Sequence, residues 1–397
     1  MTIFRKILFK NHLLLFFLIT LLIKLNGCSL KQDKGKIKII THEAPIIKEK
    51  TKWNSNCKNT LCSSLLKTIN SAEETLDIAV YGVRKQPKIS EALLDALDRG
   101  VKIRLVYDNP LIGENYYNIK QYLNPKLFKN AVHDTGDAIM HNKFVIADQC
   151  KVWTGSANLS NTGTGGYNSN IIALIKSCYL GTIYEKEFSQ LYSGNFHTRK
   201  DKVQSKEIKL KKGGSIQIFF SPKSKTIEKA VIPLLKTAQK SVNIPMFYLT
   251  HKKVFKTLKK LKSDGVEIKV ILDATAAQNE YVLENELREI GIATKVENWG
   301  GKMHMKVAVI DKKHLITGSM NFTKAGNSKN DENTVIIKNA PRLAKQVNNS
   351  FQKMWNSIPE EYLYKSPKPE SLESINSCFD GMDNDFNEKV DKLDPNC

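Results

Sequence analysis

The sequence predicts an α/β protein made of two copies of one unit, and three observations carry that expectation. Met140-His141-Asn142-Lys143-Phe144-Val145-Ile146-Ala147-Asp148 recurs as Met303-His304-Met305-Lys306-Val307-Ala308-Val309-Ile310-Asp311, displaced by 163 positions. Thr154-Gly155-Ser156-Ala157-Asn158 pairs with Thr317-Gly318-Ser319-Met320-Asn321 at the same displacement. Further upstream, residues 99–108 echo residues 264–273, and each stretch is a Gly-led alternating run that ends in Asp. A self-similar chain of 397 residues has room for two full cores. Charged residues interspersed with apolar runs exclude a disordered or collagen-like chain and a multi-pass membrane protein. Lys+Arg 61 against Asp+Glu 40 gives a net charge of +21, which favours polyanionic partners. These are a phospholipid surface or nucleic acid; no obligate protein partner is evident.

In chain order, the first segment is a targeting signal. Arg5, Lys6 and Lys10 precede an uncharged run from Leu13 to Ile23, which is shorter than the roughly 20 residues a spanning helix needs. An uncleaved anchor is the competing reading. Leu25-Asn26-Gly27-Cys28 resembles a bacterial lipobox, although Asn26 departs from the small residue usual there. The resemblance implies a signal peptide over 1–27, acylation of Cys28, a tether over 28–54, and an exported protein anchored to a bacterial membrane, periplasmic or at the cell surface. The remaining cysteines fall into local groups, Cys57 with Cys62, Cys150 with Cys178 and Cys378 with Cys397. An even, locally grouped set suits three disulfides in an oxidising compartment, with free thiols as the alternative.

Each copy then reads alike. A strand (Leu76 to Tyr81; Val242 to Tyr248) leads to an amphipathic helix (Ile89 to Asp98; Val254 to Ser263), then Gly, then a short strand ending in Asp108 or Asp273. Strands alternating with helices indicate a sheet covered by helices. The copies are expected at 55–196 and 213–360, joined by a charged, apolar-poor linker at 197–212 and followed by a tail at 361–397.

The repeated residues define a chemistry. Residues two apart on a strand share a face, so His141 projects with Lys143 and His304 with Lys306. Asn158 and Asn321 add carboxamide donors on the downstream turns. Two imidazoles, two ammonium groups and two amides form an anion site with a nucleophile and an acid. Phosphodiester cleavage through a phosphohistidine uses these parts and needs no metal or other cofactor.

Together these residues resemble the phospholipase D superfamily, whose signature is His-x-Lys-(x)4-Asp followed by Gly-Ser-x-Asn. The resemblance implies two α/β/α sandwich halves about a pseudo-twofold axis with one shared active site. It also implies that Asp148 and Asp311 are structural and that a downstream acid orients a histidine. Glu332 supplies that acid in the second copy; at the same displacement the first copy has Ser169. A local orienter favours His304 as the nucleophile, whereas the habit of single-chain relatives favours the N-terminal histidine.

The tail changes character. Asp383, Asp385, Asn387, Asp391 and Asp394 fall at positions 1, 3, 5, 9 and 12 of a calcium-type loop bracketed by Cys378 and Cys397, and resemble the Asp-rich calcium repeats of secreted bacterial proteins. Glu388 stands where the turn glycine is expected. The leading expectation is therefore a phospholipase D hydrolysing a phospholipid head-group ester. The alternatives are a metal-independent endonuclease, a phosphatidyltransferase, and a binding module whose catalysis has decayed.

Overall fold

Alternating side chains along the strands of this protein point into two different cores. In the strand Lys143–Ala147, Phe144 and Ile146 enter a central core, while Val145 and Ala147 enter an outer one. The strand Ala308–Ile310 does the same, with Val309 central and its two neighbours outer. The computed structural model describes residues 33–44, 56–108 and 119–397. The predicted signal peptide, Cys28, and residues 29–32 and 45–54 of the predicted tether lie outside the described residues.

The first half contains β1 (Lys36–His42), α1 (Thr60–Asn70), β2 (Thr75–Val80), α2 (Pro87–Asp98), β3 (Lys102–Tyr107), β4 (Ala131–His133), β5 (Lys143–Ala147), β6 (Lys151–Gly155), β7 (Asn170–Lys176) and α3 (Cys178–Tyr192). The second contains β8 (Ile208–Lys209), β9 (Ser215–Ser221), β10 (Ser241–Met246), α4 (Lys252–Ser263), β11 (Glu267–Leu272), β12 (Ala293–Val296), β13 (Ala308–Ile310), β14 (His314–Gly318), β15 (Glu332–Lys338) and α5 (Pro341–Ser357). The first sheet runs β1-β7-β6-β5-β2-β3-β4 and the second β8-β9-β15-β14-β13-β10-β11-β12, the same order with one extra edge strand. Helices α1 and α2 cover the outer face of the first sheet, and α4 that of the second. Helices α3 and α5 share the central core with the inner faces of both sheets. This is the predicted pair of α/β/α halves. The pseudo-twofold relation shows in reciprocal bridges, Met140 to Asp331 and Met303 to Ser169.

Local sequence explains the repeated geometry. Helices α2 and α4 end at Gly100 and Gly265, both at φ +86°, where a left-handed residue closes the last turn before a parallel strand. Gly155 and Gly318 end β6 and β14 against the neighbouring strand; a Cβ there would lie 2.1 Å from Ile171 O and 2.2 Å from Asn333 O. That close approach brings the Ser of each Gly-Ser turn against the first residues of β7 and β15.

Three segments differ from expectation. The segment read as a tether contributes β1, which pairs antiparallel with β7 from Lys36↔Lys176 to His42↔Asn170. Its counterpart β9 pairs with β15 in the same way, ending at Ser221↔Glu332, so the first repeat begins near residue 36. The segment read as a charged, apolar-poor linker buries Lys200 and holds most of the His197 side chain from solvent. The tail packs back on the second half, where Gly300 N–H donates to Ile375 O at 2.8 Å. All three cysteine pairs are disulfides, Cys57–Cys62, Cys150–Cys178 and Cys378–Cys397.

Candidate active site

Each histidine is placed by its own half and held by the opposite one. Asp108 at the end of β3 accepts Met140 N–H at 2.7 Å, and Asp273 at the end of β11 accepts Met303 N–H at 2.9 Å. These are the Asp residues that closed the third repeated stretch of sequence, where nothing local disclosed their task. The following N–H groups cross between halves: His141 N–H donates to Asp331 O at 2.9 Å and His304 N–H to Ser169 O at 3.1 Å. His141 Nδ1 then meets both carboxylate oxygens of Glu332 at 2.9 Å, and His304 Nδ1 meets Asn170 Oδ1 at 3.2 Å. A carboxylate 2.9 Å from Nδ1 favours the tautomer that carries its proton there, which puts the lone pair of His141 on Nε2.

Glu332 therefore serves His141 and not the histidine of its own repeat. The reason is the crossing of segments 139–141 and 331–332 between the halves. The first-half counterpart of Glu332 is also not Ser169. Ser319 Oγ donates to Glu332 Oε2 at 2.6 Å and accepts from Asn333 N; Ser156 Oγ donates to Asn170 Oδ1 at 2.8 Å and accepts from Ile171 N. Asn170 occupies the matching position, because the loop after Asn321 is one residue shorter than the loop after Asn158. Ser169 Oγ instead accepts Ala44 N–H at 2.7 Å. The second half thus offers the first half's histidine a carboxylate, and the first half offers the second's a neutral amide.

The lysines are disposed alike. Lys143 Nζ donates to His141 O at 2.8 Å and lies 5.0 Å from the Tyr81 ring centroid; Lys306 Nζ donates to His304 O at 2.9 Å and lies 4.8 Å from that of Phe247. The same rings flank the imidazoles, with centroids 5.2 Å apart in each half. Asn158 is buried, and Asn321 is half-buried with its Oδ1 accepting Tyr248 N–H at 3.3 Å. Asp148 and Asp311 lie outside this cluster. Asp148 accepts the N–H groups of Glu73, Glu74 and Thr75, and Asp311 those of Gln239, Lys240 and Ser241. They pin the turns that enter β2 and β10.

Burial depresses every cation in the pocket. It holds His141 and His304 well below the usual imidazole range, and the ammonium groups of Lys143 and Lys306 push both rings further down. Burial lowers Lys143 to about 7, against the pull of Glu332 and Asp108. Lys306 is held well below its usual range by burial and then by Lys143. Burial raises Glu332, while the Lys143 ammonium, the Ser319 hydroxyl and the Lys306 ammonium oppose it and favour the carboxylate. An entering anion supplies the missing countercharge and raises all four cations together.

Behind Asp331 stands a charged cluster that composition concealed in the linker. His197 Nε2 lies 2.5 Å from Asp134 Oδ2 and its Nδ1 3.0 Å from Asp331 Oδ2, while His197 N–H donates to Asp331 Oδ1 at 2.9 Å. Lys200 pairs with Asp331 at 2.6 Å and with Glu187. Burial disfavours the His197 cation, but the two carboxylates prevail and raise it to about 9. The tail reaches the other side of the site. Lys302, two residues before His304, donates to Asn384 O at 2.9 Å and lies 4.4 Å from the Phe386 ring centroid.

The tail acids divide. Glu370, Asp383 and Asp385 bring carboxylate oxygens within 4.8 Å of one another. Asp391 instead accepts Asp380 N–H and Gly381 N–H, Asn387 Nδ2 donates to Asp385 and Asp394, and Asp394 also accepts Asn396 N–H. Glu370, absent from the sequence reading, stands in the cluster, and the clustered acids tie the loop as well, Glu370 accepting Asn384 N–H and Asp391 N–H, Asp383 accepting Glu388 N–H and Asp385 accepting Asn387 N–H.

The family model described as "Cardiolipin synthase, PLD-like domain" matches residues 65–192 and 231–355, one match in each half and together most of the chain. A Rickettsia bellii protein named phospholipase D is 26% identical over 189 residues, 47% of this chain and 91% of that protein. A mitochondrial cardiolipin hydrolase of Chlamydomonas reinhardtii is 28% identical over 122 residues, 31% of this chain and 54% of that protein. The structure of phosphatidylserine synthase from Haemophilus influenzae superposes with a TM-score of 0.60 at 12% identity, covering 83% of this chain and 91% of that one; the two share the fold.

Proposed function

The chain belongs to the phospholipase D-like family, and on that premise we propose that it is a phosphodiesterase with His141 as nucleophile and His304 as general acid, acting on phospholipid head-group esters. The observation that carries the assignment is Glu332, 2.9 Å from His141 and on the far side of the ring from the lone pair that attacks. A carboxylate fixes the tautomer, raises basicity at Nε2 and stabilises the positive charge the ring acquires on bonding to phosphorus. The neutral Asn170 amide gives His304 no such support, so His304 releases a proton more readily. This reverses the role that Glu332, read as a local orienter, gives to His304.

In the first step Nε2 of His141 bonds to phosphorus as the bond to the leaving oxygen breaks, and that oxygen takes the Nε2 proton of His304. Water then yields a proton to His304 while its oxygen bonds to phosphorus and the phosphorus–nitrogen bond breaks, which restores both rings. Lys143, Lys306, Asn158 and Asn321 hold the non-bridging oxygens, whose charge is redistributed in the transition state.

The phospholipid substrate is supported by the names of the similar proteins, a phospholipase D and a cardiolipin hydrolase. The test is head-group release from phospholipid vesicles in EDTA, run beside degradation of plasmid DNA. Release with wild type, falling by about 10²–10⁴ with His304→Ala, is expected. DNA degradation without lipid turnover would overturn the substrate, and no turnover of either would overturn the activity.

The exported, lipid-anchored location is supported by the sequence through Cys28 and by three disulfides. Mass analysis of the N-terminus tests it; an unacylated chain retaining residues 1–27 overturns it. For the tail, a calcium ion held by Glu370, Asp383 and Asp385 is supported by their convergence. Titration calorimetry on the full chain checks this, and no heat at roughly millimolar calcium, the weak end for extracellular sites, excludes it.

A further inference from the structure

A cavity of about 670 Å³ opens between the two halves at the end of β1 remote from the histidines. Its floor is apolar, made by Ile37, Ile39, Leu174, Leu210 and Leu343. Lys151, which pairs with Asp148, lines one side; the other cations around it are Lys36, Lys38, Lys176, Lys211, Lys212 and Arg342, all exposed, and among the described residues no Asp or Glu lines it. Among the described residues none of these six cations takes part in an ion pair, although many other surface lysines do. The N-terminus of α5, which has no side-chain cap, opens on the same cavity through Ala340 and Pro341. Uncompensated positive charge above an apolar floor suits a ligand with an anionic head and an apolar tail. Among the described residues no Phe, Tyr or Trp lines the cavity, so these supply none of the stacking platforms that hold nucleic-acid bases.

We propose that this groove is a docking site for anionic phospholipid, with the head-group phosphate among the lysines and acyl carbons on the Ile37, Ile39 and Leu174 floor. Strand β1 carries Lys36 at the groove and His42, paired with Asn170, at the catalytic end, a separation of roughly 20 Å at about 3.3 Å per residue. The lipid that holds the protein and the phosphodiester it cuts are therefore different molecules, and this proposal stands independently of the assigned reaction.

The test compares the full chain with the quadruple variant Lys36→Gln, Lys38→Gln, Lys211→Gln, Lys212→Gln, all at exposed positions. Partition onto vesicles of phosphatidylcholine alone and of phosphatidylcholine with phosphatidylglycerol is measured by flotation. Turnover of a small soluble phosphodiester serves as the control for folding. Wild type is expected to favour the anionic vesicles. The variant should lose that preference by on the order of fivefold per cation while keeping wild-type soluble turnover. Equal partition of wild type onto both vesicles overturns the proposal, as does an unchanged preference in the variant. Duplex DNA binding that the variant loses, with no preference for anionic vesicles, assigns the groove to nucleic acid and equally overturns it.

Discussion

The carboxylate of Glu332 and the imidazole of His141 belong to different repeats yet sit 2.9 Å apart, and the Ser319 hydroxyl fixes the carboxylate from behind at 2.6 Å. The pseudo-symmetric contact, His304 to Asn170, has no charge to give. A duplicated site has thus become two unequal imidazoles, and unequal imidazoles are what a nucleophile and an acid require.

Glu332→Gln should lower kcat by on the order of 10²–10⁴, because an amide can present its N–H to Nδ1 and leave the proton on Nε2, where attack must occur. KM should change little. Asn170→Ala, which alters the partner of His304, should cost far less in the same steady-state assay.

His304→Ala should depend on the leaving group. With an alkoxide leaving group the first step needs its proton, and turnover should fall by about 10²–10⁴. With p-nitrophenolate, which leaves without one, a burst of one equivalent should survive and subsequent hydrolysis should stall. His141→Ala should show neither. Stopped-flow absorbance distinguishes the three.

Anion affinity should fall as pH rises through about 7. Burial lowers Lys143 to about 7, so its charged form dominates below that pH and is lost above it, and a bound oxyanion favours the charged form. The inhibition constant for vanadate measured against pH should rise on the alkaline side, and Lys143→Gln should flatten that dependence.

His197 should stabilise the protein in a defined window. Its folded pKa of about 9 lies above the usual 6.5, so its contribution is fully present below about 6.5 and is lost as pH rises towards 9. His197→Gln should cost on the order of 1–2 kcal/mol at neutral pH, after allowance for solvent screening, and nearly nothing at the alkaline end. Urea unfolding at several pH values checks both the size and the sign.

Much of this site is legible in the sequence because repetition multiplies weak signals. A lone His-x-Lys says little, but two at one spacing, each followed by Gly-Ser-x-Asn, locate both imidazoles, both ammonium groups and the anchoring Asp148 and Asp311. Pairing across the halves was not legible, since which ring an acid faces depends on how the halves dock. A fixed displacement sets Ser169 opposite Glu332, whereas a one-residue difference in loop length between the Gly-Ser turns and β7 or β15 puts Asn170 there. Strand β1 leaves a faint trace, since Ile37 and Ile39 alternate as Ile216 and Ile218 do in β9, but it falls within the stretch that its place after the lipobox marks as a tether. His197 and Lys200 sit in a polar stretch, and composition cannot distinguish a solvated cation from one buried among Asp134, Glu187 and Asp331.

The most direct measurement is to quench turnover of a phosphorus-labelled substrate in acid-free conditions, digest the protein and map the modified histidine. Label on the peptide containing His141, enriched when His304 is replaced and the leaving group is p-nitrophenolate, is the expected result. Label on His304 in the wild-type protein would contradict the assignment that the Glu332 contact supports.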